Sequence, residues 1–233
     1  MSDRDGELHP AAMSADPRPR TSTRLQVEQA VRTALLTGRF IPGKAVTLRG
    51  LAKDLGVSPM PVREVIQRLA AENALEIRLN GRVQVPEMTA PRFSEILKAR
   101  LLLEPELAEM ALPKLGKTEA SRLKELDDAL DASLGSGDTE GYMFLNHAFH
   151  FEIYKAARSQ ILLPLTESLW LQFAPYMRTV YGRVGTSSLV DWHKEAIKAV
   201  HDRDAGALRG AIAADITEGM GMLGRRGLEA INP

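Results

Sequence analysis

Cysteine is absent from the 233 residues, which removes disulfides, thiolate zinc sites and cysteine nucleophiles from consideration together. Also missing is any run of about 18 uncharged apolar residues, so no membrane span is expected. The segment Met1–Arg20 is polar and rich in Pro, Asp and Arg, without the apolar core of a signal peptide. It reads as a disordered tail on a cytoplasmic protein. There is no GxSxG, no HExxH and no glycine loop built for phosphate, so the common hydrolase, zinc-protease and nucleotide-binding chemistries lack their motifs. Excess charge of either sign is lacking too: 30 basic and 30 acidic side chains cancel.

That cancellation hides a division. Residues 21–86 hold ten Lys or Arg against five acids, a net of +5, whereas residues 87–233 hold 17 bases and 21 acids, a net of −4. A basic module joined to a mildly acidic one suits an electrostatic footprint on phosphate in the first part and another task in the second. From Thr23 to Thr37, Leu25, Val27, Ala30, Val31, Ala34 and Leu35 recur at helical spacing, and Gly38 supplies a stop. Thr47 is placed to cap a short helix from Leu48 to Leu55, closed by Gly56. Ser58 is placed to cap a second helix to about Ala71, with Pro59 at its first position, where a missing amide proton is harmless. This helix is expected to bury Val62, Val65, Ile66 and Leu69 and to leave Arg63 and its polar start facing outward.

Two short helices joined by a Gly-containing turn form a helix-turn-helix, whose second helix enters the DNA major groove N-terminus first. Immediately afterwards Leu75, Ile77 and Leu79 alternate with Glu76 and Arg78, then Asn80-Gly81 leads into Arg82, Val83, Gln84 and Val85. Asn-Gly between alternating runs predicts a hairpin whose two turn positions both take positive φ. The hairpin is a wing, and its tip carries Arg78 and Arg82. Arg49 and Arg63 suit guanine edges or phosphates equally; Ser58, Arg78 and Arg82 suit phosphates or the groove wall. A surface salt bridge from Arg63 to Glu64 or Glu72 is the competing structural role.

The stretch Thr37–Pro86, above all L-A-K-D-L-G-V-S-P-M-P-V-R-E-V-I-Q-R-L, resembles the DNA-binding domain of the GntR family of bacterial regulators. The quoted marks are T-G-x-x-x-P-G at Thr37–Gly43, G-V-S at Gly56–Ser58, P-V-R-E at Pro61–Glu64 and the Asn80-Gly81 wing. The resemblance implies DNA contacts from Arg49, the helix start at Ser58, Pro59 and Met60, Arg63 and the wing glycine Gly81; Thr47, Arg78, Asn80 and Arg82 stand beside them as further DNA-binding candidates. Pro59 stands where the family commonly has arginine, which removes one candidate base-reading side chain.

After Pro86 only helical periodicity remains, divided by turn signals at Pro113–Gly116, Gly135–Gly137, Arg158–Gln160, Gly182–Thr186 and Asp202–Gly206, giving about six helices. Pro164 and Pro175 fall inside helical patterns, so the helix around Trp170 is expected to begin near one and kink near the other. The informative residues are polar ones on apolar faces. Asn146 and His150 align with Tyr142, Phe149 and Ile153; His193 aligns with Ala196, Ile197 and Val200. Asp215 aligns with Leu208, Ala211, Ile212 and Met222, and Arg100 and Glu104 with Phe93, Leu97, Leu107 and Ala111. Asn146, His150, His193 and Asp215 form a mixed N/O set acceptable to zinc, nickel or manganese. Arg100, with Glu104 beside it, is a candidate effector anchor for a carboxylate. Ordinary hydrogen bonding to neighbours is the alternative for each.

The second part resembles the all-helical ligand-binding FCD domain of the FadR subfamily, through R-L-L-L-E-P at Arg100–Pro105, N-H-A-F-H at Asn146–His150 and W-H-K-E-A-I-K-A-V at Trp192–Val200. The resemblance implies a divalent metal held by an Asp and three His. Asn146 falls at the Asp, His150 and His193 at two of the His, and Asp215 at the last, so two ligands differ while both substitutes still offer oxygen. Some members lack the metal and bind acyl-CoA, so the same DNA-binding role with a metal-free pocket for an acyl-CoA-like or other ligand is the alternative the resemblance implies. The expected fold is mainly α: a winged helix-turn-helix (three helices plus a β-hairpin wing) over 21–88, an all-helical effector-binding bundle over 89–227, and tails at 1–20 and 228–233. The expected activity is ligand-controlled binding of a homodimer to a palindromic operator in double-stranded DNA, most simply as a repressor, with no enzymatic turnover and no membrane. A metal-dependent enzyme would need a base beside the site, for which Glu104 is the one candidate.

Overall fold

The computed structural model describes residues 20–184 and 191–225; of the expected tails at 1–20 and 228–233, all but Arg20 lies outside the described residues. Arg20 is already helical. Helix α1 (Arg20–Leu36) is followed by strand β1 (Val46–Thr47), α2 (Leu48–Asp54), α3 (Pro59–Ala71), β2 (Glu76–Ile77) and β3 (Arg82–Gln84). Thr47 caps α2, its side-chain oxygen accepting from the Gly50 amide at 3.0 Å. Val62, Val65, Ile66 and Leu69 of α3 are buried against Val27, Val31 and Leu35 of α1. Each such side chain contributes on the order of 1.5–3 kcal/mol on burial. Arg32 and Arg68 add ion pairs from α1 and α3 to Glu28, and Arg32 also reaches Glu72.

The wing departs from the two-residue turn. Only Gly81 has positive φ, at 74°. The Arg78 amide donates to Arg82 O and the Gly81 amide to Arg78 O, both at 2.8 Å, which closes a three-residue loop over Leu79, Asn80 and Gly81. Asn80 Oδ1 accepts from the Arg82 amide at 3.0 Å, holding Asn80 in an ordinary turn conformation so that glycine alone takes the left-handed position. The sheet also has a third strand that sequence reading did not anticipate. β1 pairs antiparallel with β3, Val46 opposite Val83 and Thr47 opposite Arg82, and so ties the wing to the start of α2.

Six helices follow: α4 (Ala90–Ala111), α5 (Lys117–Ser136), α6 (Thr139–Ala156), α7 (Leu162–Val184), α8 (Trp192–Asp202) and α9 (Ala205–Arg225), with a 3-10 turn at Leu112–Lys114. Helix α4 lies centrally, packed against α6, α7 and α9. Pro164 sits in the first turn of α7, where no intrahelical bond is lost, and Pro175 sits within it. The turn signal at Gly182–Thr186 coincides with the described end of α7, which continues through Val184; residues 185–190 lie outside the described set. Among the described residues no helix is long and apolar enough to cross a membrane.

Candidate DNA interface and effector site

Thr47, Arg49, Ser58, Pro59, Met60, Arg63, Arg78, Asn80, Gly81 and Arg82 are all exposed. Neither Arg49 nor Arg63 forms an ion pair among the described residues; of the two partners considered for Arg63, Glu64 is not paired with it and Glu72 is taken by Arg32. Ser58 occupies the N-cap of α3 without spending its hydroxyl on a cap bond. The start of α3 thus offers a free hydroxyl, an apolar Met60 that is 65% exposed and a free guanidinium within two turns. Arg82 differs: its Nη2 donates to Ala45 O at 2.8 Å, so part of its role is to brace the wing against β1.

Inside the bundle the polar residues from five helices, α4, α5, α6, α8 and α9, form one connected chain. Arg100 of α4 donates to Glu104 from Nε at 2.6 Å and from Nη2 at 3.2 Å, with the pair almost wholly buried. The guanidinium lies 3.9 Å from the Phe173 ring and 4.9 Å from Trp170. Tyr154 Oη donates to Glu104 Oε2 at 2.8 Å and lies 3.1 Å from His150 Nδ1. The other nitrogen of that ring, Nε2, faces Asp215 Oδ2 at 3.2 Å and His193 Nε2 at 3.4 Å. His193 Nδ1 in turn lies 3.6 Å from Asp127 Oδ1.

One donor atom each from His150, His193 and Asp215 fall within 4.8 Å of one another. Asn146 sits one turn before His150 and shares with Asp215 and Arg100 a cavity of about 20 Å³, room for about one water. This donor set is of the kind divalent transition ions take, with the far ring nitrogen of each histidine held by Tyr154 or Asp127. Asp127 and Asp191 also approach His193, but Asp191 is engaged by Lys194, which reaches Asp131 as well. Burial pushes the Asp215 carboxyl up, yet the His150 hydrogen bond and the charges of His150, His193 and Arg100 outweigh it and hold its pKa at about 2. Burial lowers His193, and the hydrogen bond to Asp127 with the charges of Asp215 and Asp127 more than reverses this, leaving it raised.

Tyr154 and Asp127 were missed in the sequence. Asp127 shares a face with buried Leu123 and Leu130, the same signal that exposed Asp215, and Tyr154 lies one turn beyond His150.

The gntR family of bacterial regulatory proteins matches residues 23–85, and the FCD domain matches residues 95–218. The chain belongs to the GntR family, with an FCD domain. This GntR regulator is 28% identical to the HTH-type transcriptional regulator McbR of Escherichia coli K12 over 205 residues, 87% of this chain and 93% of that one. The solved structure of E. coli McbR/YncC superposes with a TM-score of 0.81 at 27% identity, covering 88% of this chain and 98% of the other. The gluconate operon transcriptional repressor of Bacillus subtilis is 24% identical over 179 residues, 77% of this chain and 70% of its own length. The GntR protein is therefore a DNA-binding transcription regulator and not an enzyme.

Helix α7 of the regulator touches both functional regions. Trp170, Phe173 and Met177 line the cavity beside Asp215. On other faces of the same helix, Ser168 Oγ donates to Glu72 O at 3.1 Å, Tyr176 Oη to Pro86 O at 2.5 Å and Arg178 Nη1 to Thr37 O at 3.0 Å. Arg92 of α4 bridges Asn73 O and Gln172 Oε1.

Proposed function

We propose that the regulator is a repressor of the FadR type whose operator affinity is set by a small carboxylate bound in the bundle, at a divalent metal held by His150, His193, Asp215 and Asn146. The observation that carries this reading is the convergence of two buried histidine Nε2 atoms on one half-buried carboxylate, with both far ring nitrogens already held. A bound divalent cation would supply a Lewis-acid site and offset a local field otherwise set by Glu104, Asp127 and Asp215 against Arg100. Arg100 adds a guanidinium beside the cavity, although two of its donors are committed to Glu104. Support for repression comes from the gluconate operon repressor's name.

The exposed start of α3 and the wing would sit in the major groove and on flanking phosphates, with two copies on a palindrome whose half-sites lie about one helical turn apart. Ligand-dependent displacement of α7 would reach the winged domain through Ser168, Tyr176 and Arg178. Elemental analysis of protein purified without chelator tests the site: about one metal per chain is expected in the wild type and none in His150→Ala or His193→Ala. A metal-free wild type that also fails to take up zinc on titration would contradict the reading.

A further inference from the structure

We infer that the effector is a carboxylate with an apolar tail, not a polyhydroxylated acid, and that the indole N–H of Trp170 donates a hydrogen bond to it. This rests on the effector reading above. The cavity beside Asp215 is walled by Met143, Trp170, Phe173, Met177, Ile216 and Met220, and its polar lining side chains are confined to Arg100, Asn146 and Asp215. Hydroxyl groups distributed along a ligand would face thioether and aromatic carbon without partners, each costing roughly tenfold or more in affinity. Methylenes would be welcome there.

Three methionines make that wall deformable. With its flexible, unbranched side chain, methionine reshapes more readily than leucine or isoleucine, so rearrangement of these side chains is the route by which a cavity of about 20 Å³ would widen along the chain of a small acid. Trp170 supplies the second, independent observation. It is only 2% exposed, it lines this cavity, and its Nε1 has no hydrogen-bond acceptor among the described residues. Buried indole N–H groups normally find a partner, and an orphan beside a ligand cavity is a donor waiting for an acceptor. Arg100 stacks over the same indole at 4.9 Å, so an acceptor at Trp170 would lie close to a guanidinium. A carboxylate head satisfies both.

The test is calorimetric titration of the zinc-loaded full chain with acetate, butyrate, hexanoate and gluconate. Affinity should rise by about fourfold per methylene along the aliphatic series until the wall is filled. Gluconate should bind at least tenfold more weakly than hexanoate. Trp170→Phe should weaken every aliphatic acid by roughly tenfold while zinc affinity stays unchanged. Should that variant misfold, Met220→Gln keeps the indole and should flatten the chain-length dependence. Gluconate binding as tightly as hexanoate, or Trp170→Phe binding like wild type, overturns this inference and leaves the effector site standing. Absence of binding by all four acids to zinc-loaded protein overturns the carboxylate reading itself.

Discussion

Arg100 and Glu104 are a buried ion pair, and such a pair persists only where further bonds offset its desolvation. Glu104 gains Tyr154, and Arg100 gains two aromatic faces. Tyr154→Phe removes the link between Glu104 and His150 and is expected to lower zinc affinity about tenfold, measurable by competition with a chelating dye. At the DNA face, Arg63→Ala is expected to cost about 1–3 kcal/mol of operator binding. Loss at a single base pair would identify base reading, and a uniform loss with a shallower salt slope would identify a phosphate contact; unchanged affinity would remove Arg63 from the interface. His147 gives a separate, pH-dependent signature. Burial first, then the charges of Lys155 and His150, lower its pKa to about 3, and its ring stacks 4.2 Å from Phe151. A lowered histidine pKa means the unfolded chain binds the proton that the folded one refuses. Its contribution is therefore full above about pH 6.5 and declines as pH falls towards 3. Urea unfolding should show about 1–2 kcal/mol lost between pH 6.5 and 5 through this residue. Histidine 193, whose pKa is raised, opposes that slope, so the comparison that isolates the effect is wild type against His147→Phe.

Helix α7 is the element through which the two halves meet. Gly38 has φ 68°, and a Cβ there would lie 2.6 Å from Arg178 Cβ, so the loop after α1 can seat against α7 only as glycine. Gly38→Ala should destabilise the protein by about 1 kcal/mol or more and loosen this contact, read as a lower melting temperature. Elements of this kind were largely legible in sequence. Thr47 and Ser58 marked the starts of α2 and α3 because side-chain chemistry favours them at N-caps, and both occupy those positions. The apolar faces of α3, α6 and α8 followed from spacing alone. Less legible were features decided by tertiary contact. β1 is two residues long and exists because Val83 and Arg82 pair with it. The wing loop is one residue longer than the Asn-Gly pair implied because Asn80 bonds to Arg82 N, a local competition that composition cannot rank. In the bundle, the inward polar residues and the one-turn pairing of Arg100 with Glu104 could be recognised one helix at a time, whereas the pairing of Tyr154 with Glu104 and of His193 with Asp127 depends on how helices meet.

At the scale of the molecule, a basic reading head is joined to a mildly acidic bundle, and one hydrophobic core runs through both. Such continuity lets a change at the cavity bias the winged domain, with a coupling typically of about 1–3 kcal/mol. Everything else depends on the winged domain reading DNA. Selection from a pool of randomised duplexes by the full-length protein measures this directly. The account predicts enrichment of a two-fold symmetric sequence with half-sites about one helical turn apart, bound with strong salt dependence. Failure to enrich any sequence over successive rounds would contradict it.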